Sequence, residues 1–244
     1  MNRELAVANL KAVKEIFDEF GIEFWLDAGT LLGAIRDGKI IEWDKDIDLS
    51  MWNCDRKKLF LALHELKRRK FKFTLEHPLY PNVGWVALRF PSDAIIDILF
   101  WQVKADKLTN RTVKAEHINL FLHFLRIVRH YLYCDLSYSA EKKSTKFIAK
   151  ILEHSLPFLP LKLKTFLLNK MQRWKLGYTD WLFITPKRYF EKLGTTKFYG
   201  LTFHIPFDVE DYLKYHYGEN WKIPQKKWDY WKDDKAPMAK ESDV

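Results

Sequence analysis

The sequence predicts an α/β protein in which a mixed sheet is flanked by helices and interrupted by a basic helical insertion. Over residues 1–105, patterns with helical and with strand periodicity alternate. The most apolar strand candidate, Ala94–Trp101, carries an aspartate in its middle. Between residues 106 and 194, Lys-, Arg-, Leu- and Phe-rich helical patterns replace the strand patterns. We therefore read 1–105 as a core, 106–194 as the insertion and 195–244 as a segment that completes the core. At 244 residues and 48% hydrophobic content the chain is long enough for one sizeable core.

Leu10, Val13, Ile16, Phe17 and Phe20 recur at helical spacing, so the chain begins with an amphipathic helix that ends at Gly21, a glycine suited to a helix C-cap. Ile22–Leu26 reads as a strand, and Gly29-Thr-Leu-Leu-Gly33 opens a second, short helix. Asp37-Gly38 marks a turn, and Ile47–Met51 is the next strand, entered through Trp43-Asp-Lys-Asp46. Leu59, Leu61, Leu63 and Leu66 place a helix between Asp55 and Lys70. Phe71–Leu75, Trp85–Phe90 and Ala94–Trp101 follow as strands. Residues 141–175 hold nine Lys or Arg against two Glu, which reads as a basic amphipathic helix pair.

A formal net charge of +9 and a pI near 9.3 point to polyanionic neighbours. Two distant cysteines, Cys54 and Cys134, argue against a disulfide framework and for a reducing compartment. Arg126, Arg129, Pro157, Pro160, Lys162 and Lys164 interrupt the apolar stretches, so neither reads as a membrane span. The expectation is a cytoplasmic protein, with peripheral contact to the inner face of a membrane through the basic segment from Phe147 to Trp174 as an option. His117, His123 and His130 sit in a Leu- and Phe-rich helical pattern and read as core or surface histidines.

Residues two apart on a strand share a face, so Asp46 and Asp48 project together and Asp44 joins them at the strand's edge. Ionised carboxylates this close repel one another unless a cation lies between them, and hard oxygen ligands suit Mg²⁺ or Mn²⁺. Asp97, among Ile95, Ile96, Ile98 and Leu99, would cost several kcal/mol to bury without compensation. Pairing its strand with that of Asp46 and Asp48 brings the carboxylates together, an arrangement that suits phosphoryl transfer with Asp97 as proton acceptor. The turn at Gly29 and Thr30 permits close approach of a phosphate to backbone N–H groups, and Arg36 and Lys39 follow within reach of it.

Phe24-Trp-Leu-Asp-Ala-Gly-Thr-Leu-Leu-Gly-Ala-Ile-Arg36, followed by Ile41-Glu-Trp-Asp-Lys-Asp-Ile-Asp-Leu49, resembles the LicD and fukutin-type phosphotransferases. Gly200-Leu-Thr-Phe-His-Ile-Pro206, Tyr217-Gly-Glu-Asn-Trp-Lys-Ile-Pro224 and Trp228-Asp-Tyr-Trp resemble that family's closing segment. The resemblance implies a nucleotidyltransferase-type core that moves a phospho-alditol or phosphocholine unit from a CDP-activated donor to a glycan, lipid-linked polysaccharide or teichoic-acid-like acceptor. It implies that Asp44, Asp46, Asp48 and Asp97 hold the metal and that Gly29, Thr30 and Gly33 meet the donor phosphates. Some relatives carry a Cys- and His-rich zinc insertion, which two cysteines cannot supply. The alternatives are an enzyme that moves a nucleotide, and a non-catalytic basic protein for polyanions or glycans. Negative charge gathered beside a glycine turn argues against the latter, and no nucleic acid partner is expected.

Overall fold

The computed structural model describes residues 2–76, 84–91, 94–115, 120–133, 143–172 and 178–240. Its first helix, α1 (Arg3–Glu19), is capped by Asn2, whose side chain accepts from the Leu5 N–H, and buries Ala6, Leu10, Val13, Ile16 and Phe17. At its end the Ile22 N–H returns to the Phe17 carbonyl, which turns the chain directly into β1 (Phe24–Leu26). Next come α2 (Ala28–Arg36), β2 (Asp46–Trp52), α3 (Arg56–Arg68), β3 (Thr74–Glu76), β4 (Trp85–Arg89) and β5 (Ile95–Lys104). On α3 the buried stripe is Leu59, Ala62, Leu63 and Leu66, whereas Leu61 lies on the opposite face and is exposed.

The fold is mixed α/β, with ten strands in one mixed sheet. β2 pairs in parallel with β5 and antiparallel with β1, while β1 pairs in parallel with β9 (Leu201–Ile205). β5 is the hinge of the sheet: residues 95–99 pair with β4, and 102–104 continue into a hairpin with β6 (Lys107–Ala115). β6 pairs along its whole length with β7 (Tyr178–Pro186), and β10 (Met238–Lys240) pairs with β7 on its far side. β8 (Gly194–Phe198) forms the outer edge on β9. Trp25 is fully buried against Trp52 and Phe190, at ring separations of 5.0 and 5.1 Å. Each large side chain buried in this way contributes roughly 1.5–3 kcal/mol.

The stretch 106–194 is not helical throughout. It begins and ends in β6 and β7, and only between them lie α4 (Leu120–Tyr133), α5 (Lys143–Ser155) and α6 (Leu161–Gln172). Counting apolar residues misses these strands because their buried positions are largely polar: Thr109, Asn110, Thr112 and Thr185 are all buried. Asn110 Nδ2 donates to the Gly84 and Phe100 carbonyls, so a residue that reads as a loop former stitches β6 to the sheet. The helices enclose a small separate core of Ile127, Tyr131 and Ala149, flanked by Leu152 and Leu156. His130 is buried edge-on to Tyr131, which fits a core histidine. His117, the His123 side chain and Cys134 lie outside the described residues, and Cys54 is a free, exposed thiol. Among the described residues no helix is long and apolar enough to cross a membrane.

Candidate active site

Strand register assembles the carboxylates. Along β2, Ile47 and Leu49 turn inward to the core while Asp46 and Asp48 turn to the other face. Asp48 is the direct partner of Asp97 on β5, so two aspartates far apart in sequence become cross-strand neighbours. On the other side of β2, the Asp27 N–H reaches the Asp48 carbonyl just past the end of β1. Asp27, Asp48 and Asp97 thus form a row across three neighbouring strands, and Asp44 and Asp46 gather beside its middle member, Asp48. Oxygens of Asp44, Asp46 and Asp48 all lie within 4.8 Å of one another. The Asp97 carboxylate is not in that tight group, although it lines the same cavity.

Such crowding has an electrostatic signature. Burial, followed by hydrogen bonding to and repulsion by Asp46, pushes the Asp44 carboxyl up to about 7. Burial likewise holds Asp48 well above the usual carboxylate range, with further upward pressure from the charges of Asp46, Asp97, Asp44 and Asp27. Asp27 is also buried, yet donors surround it: the Ala28 N–H at 2.8 Å, the Ser50 hydroxyl at 2.5 Å and the Tyr212 hydroxyl at 2.6 Å. Ser50 in turn receives the Trp101 indole N–H at 3.1 Å. Asp27 caps α2, and Ala28 follows it in the left-handed region at φ 43°. The motif reading overlooked Asp27 as a site residue, because an aspartate before a helix is ordinarily only a cap.

Gly29, the second residue of α2, lies against the cluster. A Cβ there would lie 2.5 Å from Asp44 Oδ2 and 3.3 Å from Asp48 Oδ2, so only glycine lets the helix start approach the carboxylates this closely. Gly29→Ala displaces the Asp44 carboxylate, a side-chain end that can swing away. Its expected result is about a 10- to 100-fold loss in Mn²⁺ affinity by calorimetric titration, the size seen when metal-site support is disturbed. Its thermal midpoint is expected to stay level or rise, because alanine favours a helix by up to ~1 kcal/mol over glycine.

The other residues proposed for phosphate contact divide. Arg36 lines the cavity, and its guanidinium forms a two-point bond to Asp37, both contacts at 2.8 Å. Thr30, Gly33 and Lys39 are not on the cavity wall. Thr30 is buried and its Oγ1 accepts the Asp48 N–H at 2.7 Å, so it fixes the strand that bears the cluster. A Cβ on Gly33 would lie 2.6 Å from the Lys39 carbonyl, so this glycine admits the loop that carries Asp44. Lys39 is exposed.

The cavity holds about 600 Å³, a volume that suits a nucleotide-sized ligand. Its floor is the aspartate row, and β4, β6 and β7 add Trp85, Asn110, Thr112 and Phe183. Much of the roof comes from the C-terminal segment. Tyr217, at the end of α7 (Val209–Tyr217), packs on Trp228 with ring centres 4.9 Å apart, and Lys226 lies over Trp43 at 5.8 Å. Burial, with the nearby Asp48 charge next in weight, holds the Tyr217 hydroxyl protonated well above its ordinary range. Trp221, Trp228 and Tyr230 line the cavity, whereas Trp231 packs on Trp181 and Phe183. Asp234, also on the wall, bonds His216 Nδ1 at 3.1 Å. From sequence Trp221, Trp228, Tyr230 and Trp231 read first as packing and second as a stacking surface for a sugar or base, and the fold puts the first three of them on the cavity wall.

A mixed sheet that gathers aspartates from adjacent strands beneath a glycine-led helix start is the arrangement of a nucleotidyltransferase-type domain. Residues 21–117 match the family described as LicD/FKTN/FKRP, nucleotidyltransferase domain, so this stretch is similar to the LicD/fukutin-type family. The ribitol-5-phosphate transferase FKTN of Mus musculus is 25% identical over 231 residues, 93% of this chain and 35% of that protein. The ribitol 5-phosphate transferase FKRP of Homo sapiens is 41% identical over 46 residues, 17% of this chain and 9% of that protein. The chain spans about a third of the length of the FKTN relatives it matches. A solved, lincomycin-bound lincosamide antibiotic adenylyltransferase, LnuA, aligns with a TM-score of 0.40 at 12% identity, over 84% of this chain and 82% of that one.

Proposed function

We propose that this protein transfers a substituted phosphate, such as ribitol phosphate, glycerol phosphate or phosphocholine, from a CDP-activated donor to a hydroxyl of a glycan or teichoic-acid-like polymer. The observation that carries this reading is the row of aspartates on β2, on β5 and just past the end of β1, set under a cavity of about 600 Å³. The names of the ribitol-phosphate transferase relatives agree with it.

The donor set fits a hard divalent cation. Three carboxylates bring oxygens within 4.8 Å of one another, the charge of Asp46 adds to the raised proton affinity of Asp44 and Asp48, and the glycine above them leaves room that a methyl group would fill. Asp44, Asp46 and Asp48 would hold Mg²⁺ or Mn²⁺, with Asp97 beside them, and the ion would neutralise charge on the donor phosphates. Asp97, next to Asp48 in register, would take the proton of the attacking acceptor hydroxyl. As the new oxygen–phosphorus bond forms, the phosphoanhydride bond breaks and CMP leaves. Tyr217 keeps its proton and can donate it in a hydrogen bond to a phosphate oxygen, and Trp43 and Trp228 offer faces for a base or an alditol. A lipid-linked acceptor would bring the enzyme to the inner face of a membrane.

Product mass tests the proposal. Incubation with CDP-ribitol, CDP-glycerol or CDP-choline, an acceptor glycan and Mn²⁺ is expected to add the substituted phosphate and release CMP, and chelation is expected to stop it. The family's nucleotidyltransferase description favours a second reading, transfer of the nucleotide itself. An acceptor that gains a nucleoside monophosphate would replace the first reading with this one.

A further inference from the structure

The helical module between β6 and β7 carries a surface that the cavity does not use. On α5, Ala149 and Leu152 turn to the Ile127 and Tyr131 core, while Phe147 and Ile151, one turn apart, are 69% and 52% exposed. Continuing outward, Phe158 at the 3-10 turn after α5 is 86% exposed, and Leu161 and Phe166 on α6 are 78% and 60% exposed. Solvent-facing phenylalanines and leucines at this density mark a surface that meets something apolar. Lys150, Lys162 and Lys170 lie exposed among them, and the sequence from 143 to 172 holds six lysines and one glutamate.

We propose that the exposed apolar side chains of α5, of the turn after it and of α6 dock peripherally on an anionic lipid surface, with Phe158 and Phe166 entering the interface and the lysines meeting phosphate headgroups. The charge pattern selects this occupant. A two-fold pairing with a second copy would set lysines against lysines across the contact, whereas an anionic bilayer accepts both the apolar side chains and the positive charge. In the chain the module lies between β6 and β7, whose Asn110, Thr112 and Phe183 line the cavity.

Vesicle co-sedimentation of the full chain tests this separately from any transfer activity. Vesicles of phosphatidylcholine mixed with phosphatidylglycerol are expected to bind at least about tenfold more protein than phosphatidylcholine alone, with the gain falling as salt rises. Phe158→Ser with Phe166→Ser, both exposed, is expected to cut binding about tenfold, with the circular dichroism spectrum and thermal midpoint unchanged. Equal binding to both vesicle types, undiminished binding of the double variant, or a dimer in light scattering that the two substitutions dissolve would each overturn the proposal.

Discussion

An Asp48→Asn protein is expected to lose transfer by on the order of 10³-fold, the effect of removing one group that stabilises charge in a reaction centre, while its metal-free form melts at a higher temperature than the parent. The two effects run in opposite directions for one reason. Asp48 faces Asp97 in register, adjoins Asp27 and Asp46, and its carboxyl is held well above the usual range by burial and by those charges. Asparagine keeps the shape and the backbone N–H bond to Thr30, and it removes the repulsion together with the ligand. Activity with each donor, and thermal melts in chelator and in Mn²⁺, measure both effects. A metal-free midpoint that falls in the variant, with an unchanged Mn²⁺ response, would show that the cluster is neither repulsive nor a cation site.

The second large effect is on stability against pH. Asp44 keeps its proton to about pH 7 in the folded chain, and Asp48 is raised as well, whereas an unfolded chain releases such protons near 4. Between roughly pH 4 and pH 7 the folded state therefore binds more protons, so the cluster's contribution to stability falls as pH rises through that window, and the part due to Asp44 is lost in full above it. Glu65, held at about 2 by Arg68 and Arg69, and Asp37, lowered by Arg36, act in the opposite sense but only towards the acid end. A divalent cation held by the cluster, as proposed, would compete with these protons. Mn²⁺ is thus expected to raise the midpoint more at pH 7.5 than at pH 5, and at a hundred times its Kd it supplies about 2.7 kcal/mol. Calorimetry across pH with chelator or Mn²⁺ makes the comparison, and the Asp48→Asn protein is expected to give a flatter metal-free profile. Equal Mn²⁺ shifts at both pH values would exclude a titrating cluster.

How much of this was legible depends on the range over which each feature is encoded. Asp46 and Asp48 share a face because a strand alternates, and Asp97 drew attention because a charge in an apolar strand needs compensation. Both inferences use only neighbouring residues. The strands at 107–115 and 178–186 escaped because Thr109, Asn110, Thr112 and Thr185 occupy buried positions where apolar residues were sought. Thr30 and Gly33 stood out through their place in a motif, yet one holds the Asp48 backbone and the other makes room for the Lys39 loop. Asp27 and Tyr217 were overlooked, since nothing next to either of them in sequence signals a contact with residues 185 positions away or a carboxylate on another element.

By itself, then, the order of residues determined the periodicity of the main core elements, the pairing of Asp46 with Asp48 on one strand face, the excess positive charge of 141–175 and the family resemblance. Tertiary structure alone decided that Asp27, Asp48 and Asp97 stand side by side and that side chains between Tyr212 and Asp234 roof the cavity above them. Local pattern reports which way a side chain points from its own strand. Which strand lies next to it, and in what register, is settled only when the whole core packs and hydrogen-bonds at once.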